Sequence, residues 1–175
     1  MRTRKYTLVA ACLLIMFAKT QDIFASDFYV DAGVMQMDAE INNTRHDPIL
    51  ARAKAGYYMT KNASIEVHVA ATINKDKWEN NKLSPSIVGL YLRYGSIASS
   101  RARAYVHLGV AHVALSTETS TDEFGETYND ISAGLGFEER LKHFKNASIT
   151  LEYTRYHSQD NTPINGLTLG FRTDF

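Results

Sequence analysis

The side chains best able to do chemistry in this chain are ionic. Glu66, Glu138 and Glu152 share one parity with Arg52, Lys54, Arg93, Arg103, Arg140 and Arg172 within their respective segments, and Asp31 and Asp174 have the same parity. Six basic against five acidic side chains on one face imply paired ions rather than a charged passage. His68 and His107 lie on that face too, but no carboxylate or histidine spacing nearby makes a recognisable metal set, so interior polar packing is the reading. Asp122, Glu123 and Glu126 read as a solvated acidic loop, with cation binding as the alternative. His157 and Ser158 are adjacent, which sends their side chains to opposite sides of an extended chain and argues against a nucleophile and base pair. Neither a catalytic set nor a cofactor site is expected.

The elements that must position these groups are strands, because polarity alternates with period two. Phe28, Val30, Ala32 and Val34 oppose Tyr29, Asp31, Gly33 and Met35. Seven further segments repeat the scheme, at 51–60, 65–73, 87–94, 103–112, 131–140, 149–156 and 167–175. On the eight apolar faces only Glu139 and Arg155 are charged, and both stand toward segment ends. There a charge facing lipid costs roughly 0–1 kcal/mol, against about 2–4 at the midplane. Gly33, Gly56, Gly89, Gly109, Gly134, Gly136, Gly166 and Gly170 all share the polar parity, which suggests a crowded interior; Gly95 and Gly125 lie outside the pattern.

Connections alternate in length. Those at 61–63, 95–102 and 141–146 are short, whereas those at 38–49, 74–85, 115–128 and 158–164 are mostly longer and more polar. Short turns on one rim and long loops on the other are the pattern of an eight-stranded, antiparallel, up-and-down transmembrane β-barrel, an all-β fold. The pentapeptide Lys61-Asn62-Ala63-Ser64-Ile65 recurs at Lys145-Asn146-Ala147-Ser148-Ile149. Either hairpin duplication or convergent turn chemistry explains it; the second is favoured because nothing else in the two halves aligns closely.

Residues 1–25 are expected to be a signal peptide and residues 26–175 the barrel. Arg2, Arg4 and Lys5 precede an apolar run from Leu8 to Ala18, and Ala25 offers a small residue for cleavage before Ser26. Eleven apolar residues fall short of the roughly 20 that span a bilayer. Val9-Ala10-Ala11-Cys12 looks like a lipoprotein box, but the apolar run continues past Cys12 through Phe17. Without residues 1–25 the chain has 15 basic and 18 acidic side chains and no cysteine, so an exported body must hold together without a disulfide. The whole chain of 175 residues is neutral and has no basic block, which argues against a nucleic-acid partner.

These residues resemble the small eight-stranded outer-membrane barrels, the group of the outer-membrane protein A membrane domain, outer-membrane protein X and the opacity proteins. The resemblance rests on Phe175 with Phe171, Leu169 and Leu167 at alternate positions before it, on Ala55-Gly56-Tyr57, on Tyr105 to Gly109, and on Gly134-Leu135-Gly136-Phe137-Glu138. Thr173 and Glu139 depart from the usual aromatic or aliphatic residue and the usual tyrosine. The resemblance implies location in the bacterial outer membrane, contact with outer-membrane lipid and lipopolysaccharide, and an assembly signal, Phe175 with Phe171 and Leu169, read by the barrel-assembly machinery. It also implies a non-enzymatic role in envelope integrity, adhesion or recognition, with an unidentified extracellular ligand. Two alternatives stand beside it. One is a lipid A deacylase, although that family's His-x-Ser pair and its glutamate on the next strand are not matched here. The other is a soluble lipocalin-like binder, in which the apolar face would point inward.

Overall fold

The computed structural model describes residues 28–41, 44–74, 76–78, 81–96, 101–118, 123–144, 146–158 and 162–175. The expected signal peptide, Cys12 and Asp122 lie outside the described residues. Ten strands occur among the described residues: β1 (Phe28–Ile41), β2 (Thr44–His46), β3 (Ile49–Tyr58), β4 (Ala63–Asn74), β5 (Asp76–Trp78), β6 (Asn81–Gly95), β7 (Ala102–Glu118), β8 (Glu123–Arg140), β9 (Ala147–His157) and β10 (Ile164–Asp174). Eight of them form the barrel in chain order, and β10 pairs with β1 from Tyr29↔Asp174 to Ala39↔Ile164, closing the sheet. The short β2 and β5 fold back on β1 and β6. Closure leaves the barrel no edge, which matters because an unpaired backbone group in hydrocarbon costs several kcal/mol.

The short turns get their shape from local hydrogen bonding. Thr60 Oγ1 accepts the backbone N–H groups of Asn62 at 3.3 Å and Ala63 at 3.0 Å, which holds the turn between β3 and β4. The repeated pentapeptides do the same work twice. The Asn62 carbonyl accepts the Gly95 N–H at 2.7 Å, and the Asn146 carbonyl accepts the Asp174 N–H at 2.8 Å. In both copies the serine, Ser64 or Ser148, is buried and the isoleucine, Ile65 or Ile149, faces out.

The apolar parity faces outward. Val34, Val88, Leu108, Val110, Ile131, Leu135 and Leu169 are all exposed, Leu108 by 58% and Ile131 by 71%. A water-soluble lipocalin-like barrel would bury this surface, so that alternative is excluded by the direction of the side chains. Seven of the eight barrel strands present four or more apolar outward positions, Phe175 being counted with β10, and β9 presents three, Ile149, Leu151 and Tyr153, in keeping with strands of about 9–11 residues that cross a bilayer at a tilt.

Toward the long loops the polarity of the two faces exchanges. The next outward positions become Gln36, Ser86, His112, Asn129, Arg155 and Asn165, while inward positions become Met35, Met37, Ala39, Leu50, Ile87, Val113, Leu115 and Ile164, all buried. These inward residues pack into one apolar cluster with Tyr91 and Tyr156. The barrel is therefore inside-out within the lipid and ordinary above it. This corrects the expected loop at 115–128: β7 and β8 stay paired from Ala102↔Glu139 to Glu118↔Glu123. The expected loops at 38–49 and 74–85 are likewise shortened by the upper ends of β1, β3 and β6.

Candidate functional site

The expected ion network occupies the part of the lumen inside the lipid belt. Its centre is Glu152 on β9, whose carboxylate accepts from Arg52, from Lys54 Nζ at 2.7 Å and from the Tyr105 hydroxyl at 2.9 Å. Asp31 on β1 backs this group, 3.7 Å from Arg52 Nη2 and 3.9 Å from Lys54 Nζ, and accepts the Thr150 hydroxyl at 2.7 Å. A second cluster forms nearer the short turns. There Glu138 accepts from Arg93 at 2.6 Å and Arg172 at 2.9 Å, with Arg103 Nε at 3.6 Å. Glu66 accepts the Tyr29 hydroxyl, bonds His68 Nε2 at 2.7 Å and lies 3.7 Å from Arg93 Nε.

Arg93 and Tyr105 weld the clusters together. The Arg93 guanidinium sits between Glu66 and Glu138 and lies 3.9 Å from the centroid of the Tyr105 ring, whose hydroxyl serves Glu152. Arg172 lies over Tyr29 at 3.5 Å and also donates to Tyr58 and Asp174. Aromatic faces thus add to the carboxylates in compensating the desolvation of these cations. Asp31, Glu66, Glu138 and Glu152 against Arg52, Lys54, Arg93 and Arg172 make this buried set balanced in charge.

Of the expected network residues, Arg140 is the exception. It shares the inward parity but is exposed, at the last pair of β8 opposite Ser148, where the barrel wall has ended and the side chain reaches solvent. Arg103 contributes from the edge of the network, its side chain 15% exposed.

The tyrosines were not singled out from the sequence, although their parity carries the signal. Tyr29 and Tyr105 face Gly56 and Gly136 directly across the ladder. A β-carbon added at either glycine would fall inside the opposing ring, so these two glycines are vacancies cut for tyrosine.

His68 and His107 join the packing as that face predicts. His68 stacks on Tyr91 with centroids 4.2 Å apart, and His107 meets the same ring edge-on at 4.9 Å. No group of three potential metal ligands occurs among the described residues. His157 is buried with Nδ1 3.1 Å from Asp130, whereas Ser158 is exposed and gives only its backbone N–H to Asp130. No hydrogen bond joins the Ser158 hydroxyl to His157 among the described residues. Glu126 accepts the Tyr128 hydroxyl at 2.6 Å. Phe175, Phe171 and Leu169 all lie on the outward face, and the Phe175 N–H bonds the Phe28 carbonyl at 2.8 Å, tying the two ends of the barrel.

Comparison with known proteins agrees with this architecture. A family model described as outer membrane protein beta-barrel domain matches residues 8–175. No curated protein sequence matches the chain. Among solved structures, Neisserial surface protein A is similar at a TM-score of 0.70 and 17% identity, covering 85% of this chain and 97% of that one. Ail, the attachment invasion locus protein of Yersinia pestis, solved in complex with the heparin analogue sucrose octasulfate, gives 0.66 and 13%, covering 87% and 100%. The outer membrane protein OprG of Pseudomonas aeruginosa gives 0.62 and 14%, covering 86% and 96%.

Proposed function

Because the chain belongs to the outer membrane protein beta-barrel family, we propose that it is a non-enzymatic barrel that seals its own lumen and displays its long loops outside the cell for recognition, adhesion or envelope integrity. The observation that supports this reading is the filled interior. A charge-balanced network inside the lipid belt is followed, toward the loops, by the apolar cluster of Met35, Met37, Leu50, Ile87, Val113 and Ile164. An ion crossing would have to break the first layer and then enter the second without water, and each step costs several kcal/mol. The separation of His157 from Ser158 across the wall supports the non-enzymatic half of the proposal.

The four segments toward the loop rim, 38–49, 74–85, 115–128 and 158–164, carry ten carboxylates and only four basic side chains. Such a rim repels polyanions and attracts basic surfaces through a field that salt screens within about 8 Å at physiological ionic strength. The partner is therefore basic, in contrast to the heparin analogue held by Ail. Residues 1–25 direct export and are removed before Ser26, and Phe175, Phe171 and Leu169 present the assembly signal.

The test uses the mature protein in lipid. Reconstituted into planar bilayers it gives no steady conductance. In liposomes it is retained on a polylysine surface at low salt, is released as salt rises, and passes through immobilised heparin. Sustained conductance would refute the sealed lumen, and heparin retention at physiological salt would refute the basic partner. The intact mass of protein taken from outer membranes starts at Ser26; a mass that retains residues 1–25 would refute the cleavage.

A further inference from the structure

The short turns opposite the long loops have the reverse charge. The three short turns at 61–63, 95–102 and 141–146 carry Lys61, Arg101, Lys142 and Lys145 and no carboxylate. Two of these basic residues, Arg101 and Lys142, line a surface cavity of about 350 Å³ together with Arg140 and Leu141. The backbone builds it: the Arg140 N–H bonds the Arg101 carbonyl at 2.9 Å, and the Leu141 N–H bonds the Ala147 carbonyl at 2.9 Å. Arg101, Arg140 and Lys142 thereby converge from two neighbouring turns. Among the described residues none of the three forms an ion pair, although every buried arginine of the lumen does. Glu139 is the nearest acidic residue in sequence and forms no ion pair with them among the described residues.

The turn that supplies Lys142 follows directly on the end of β8, whose outer face is lipid-facing. Phe137 is exposed on that face, and Phe144 in the same turn is 63% exposed, the placement of an aromatic anchor at a membrane interface. Three unneutralised cations, two of them guanidinium groups whose fork matches phosphate oxygens, next to an apolar and aromatic wall complement a molecule with an anionic phosphate head and hydrocarbon tails. We propose that this pocket holds the phosphate of an anionic glycerophospholipid in the leaflet at the short-turn side. The inference rests on the membrane-spanning reading of the barrel. It accounts for the exposure of Arg140, which the interior network does not use.

The experiment places the mature protein in nanodiscs made of equal parts phosphatidylglycerol and phosphatidylcholine, then counts the lipids that stay bound in native mass spectrometry. The wild-type protein retains phosphatidylglycerol in excess over the bulk ratio. Replacing Arg101, Arg140 and Lys142 by glutamine, singly and together, lowers that excess by up to roughly fivefold per cation removed. The control Lys61→Gln, in a turn outside the pocket, leaves it unchanged. Heat-modifiable migration checks that each variant is folded, and the single variants decide the matter if the triple variant is not. Equal retention by wild type and pocket variants overturns the proposal, as does displacement of the bound lipid by soluble glycerol phosphate, which would mark a free-anion site. Failure of the wild-type protein to insert into nanodiscs would instead overturn the membrane reading itself.

Discussion

Replacing Glu152 by glutamine tests whether the interior ions act as one network. Glutamine keeps the volume and one acceptor oxygen, but it turns the other oxygen into a donor among four donors, Arg52, Lys54, Tyr105 and Thr154. The remaining carboxylate near the two cations is Asp31, at 3.7 and 3.9 Å, too far for a good hydrogen bond to either. Removing one partner of a buried pair costs about 3–5 kcal/mol, because the other charge is left desolvated. With Asp31 still compensating in part, about 3 kcal/mol is expected. At a urea dependence of roughly 1–3 kcal/mol per molar, the unfolding midpoint in liposomes falls by about 1–3 M, read by heat-modifiable migration. Adding Lys54→Met to Glu152→Gln then restores part of the loss, since the stranded ammonium is gone, with a coupling energy of roughly 1–3 kcal/mol. An unchanged midpoint for Glu152→Gln, or simple additivity of the two substitutions, would refute the network.

The exchange of polarity along the barrel sets the lipid boundary, so Leu108→Arg should cost about 2–4 kcal/mol and His112→Arg, four residues nearer the loops on the same face, about 0–1; equal penalties would misplace the boundary. Gly56→Ala drives a methyl into the Tyr29 ring and should lower stability by about 1–3 kcal/mol. Among the described residues Gly125→Ala meets nothing nearer than the Leu115 carbonyl oxygen at 3.9 Å and should leave the urea midpoint unchanged. Deleting Phe175 should reduce the folded protein recovered from outer membranes while the refolded variant keeps its midpoint within about 1 kcal/mol, a scale typical of surface changes; normal recovery would remove Phe175 from the assembly signal.

The eight strands and the inward ions were legible because one rule, apolar out and polar in, holds wherever the wall touches lipid. The rule fails where its cause ends. Met37 and Ala39 continue β1 with the apolar residues on the inner parity, and Val113 and Leu115 do the same on β7. A reading that follows one apolar parity sees the alternation stop there and assigns a loop. Arg140 fails for a related reason, since parity gives the direction of a side chain but not whether a wall still encloses it. The β9–β10 ladder slips between Ile164 and Asn165, and Tyr156 and His157 are both buried, which no strict alternation can place. The tyrosine and glycine pairs needed the register of neighbouring strands, and a single sequence does not supply it.

The same exchange of polarity bears on what the outer face can do. Above His112 and Asn129, which bond side chain to side chain at 2.7 Å, β7 and β8 run about six more residues as a paired ladder with Val113 and Leu115 packed inside. At about 3.3 Å per residue, this raises the hairpin roughly 20 Å along its strands beyond His112. A ladder held by backbone bonds and an apolar core has lost its conformational entropy during folding, before any partner arrives. Deep substitutions in that core, such as Val113→Asp, should therefore weaken partner binding without touching a loop residue, while conductance should stay absent if, as proposed, the lower ion network closes the lumen. Retained binding by a folded Val113→Asp variant would show that the loop tips act independently of the ladder that carries them.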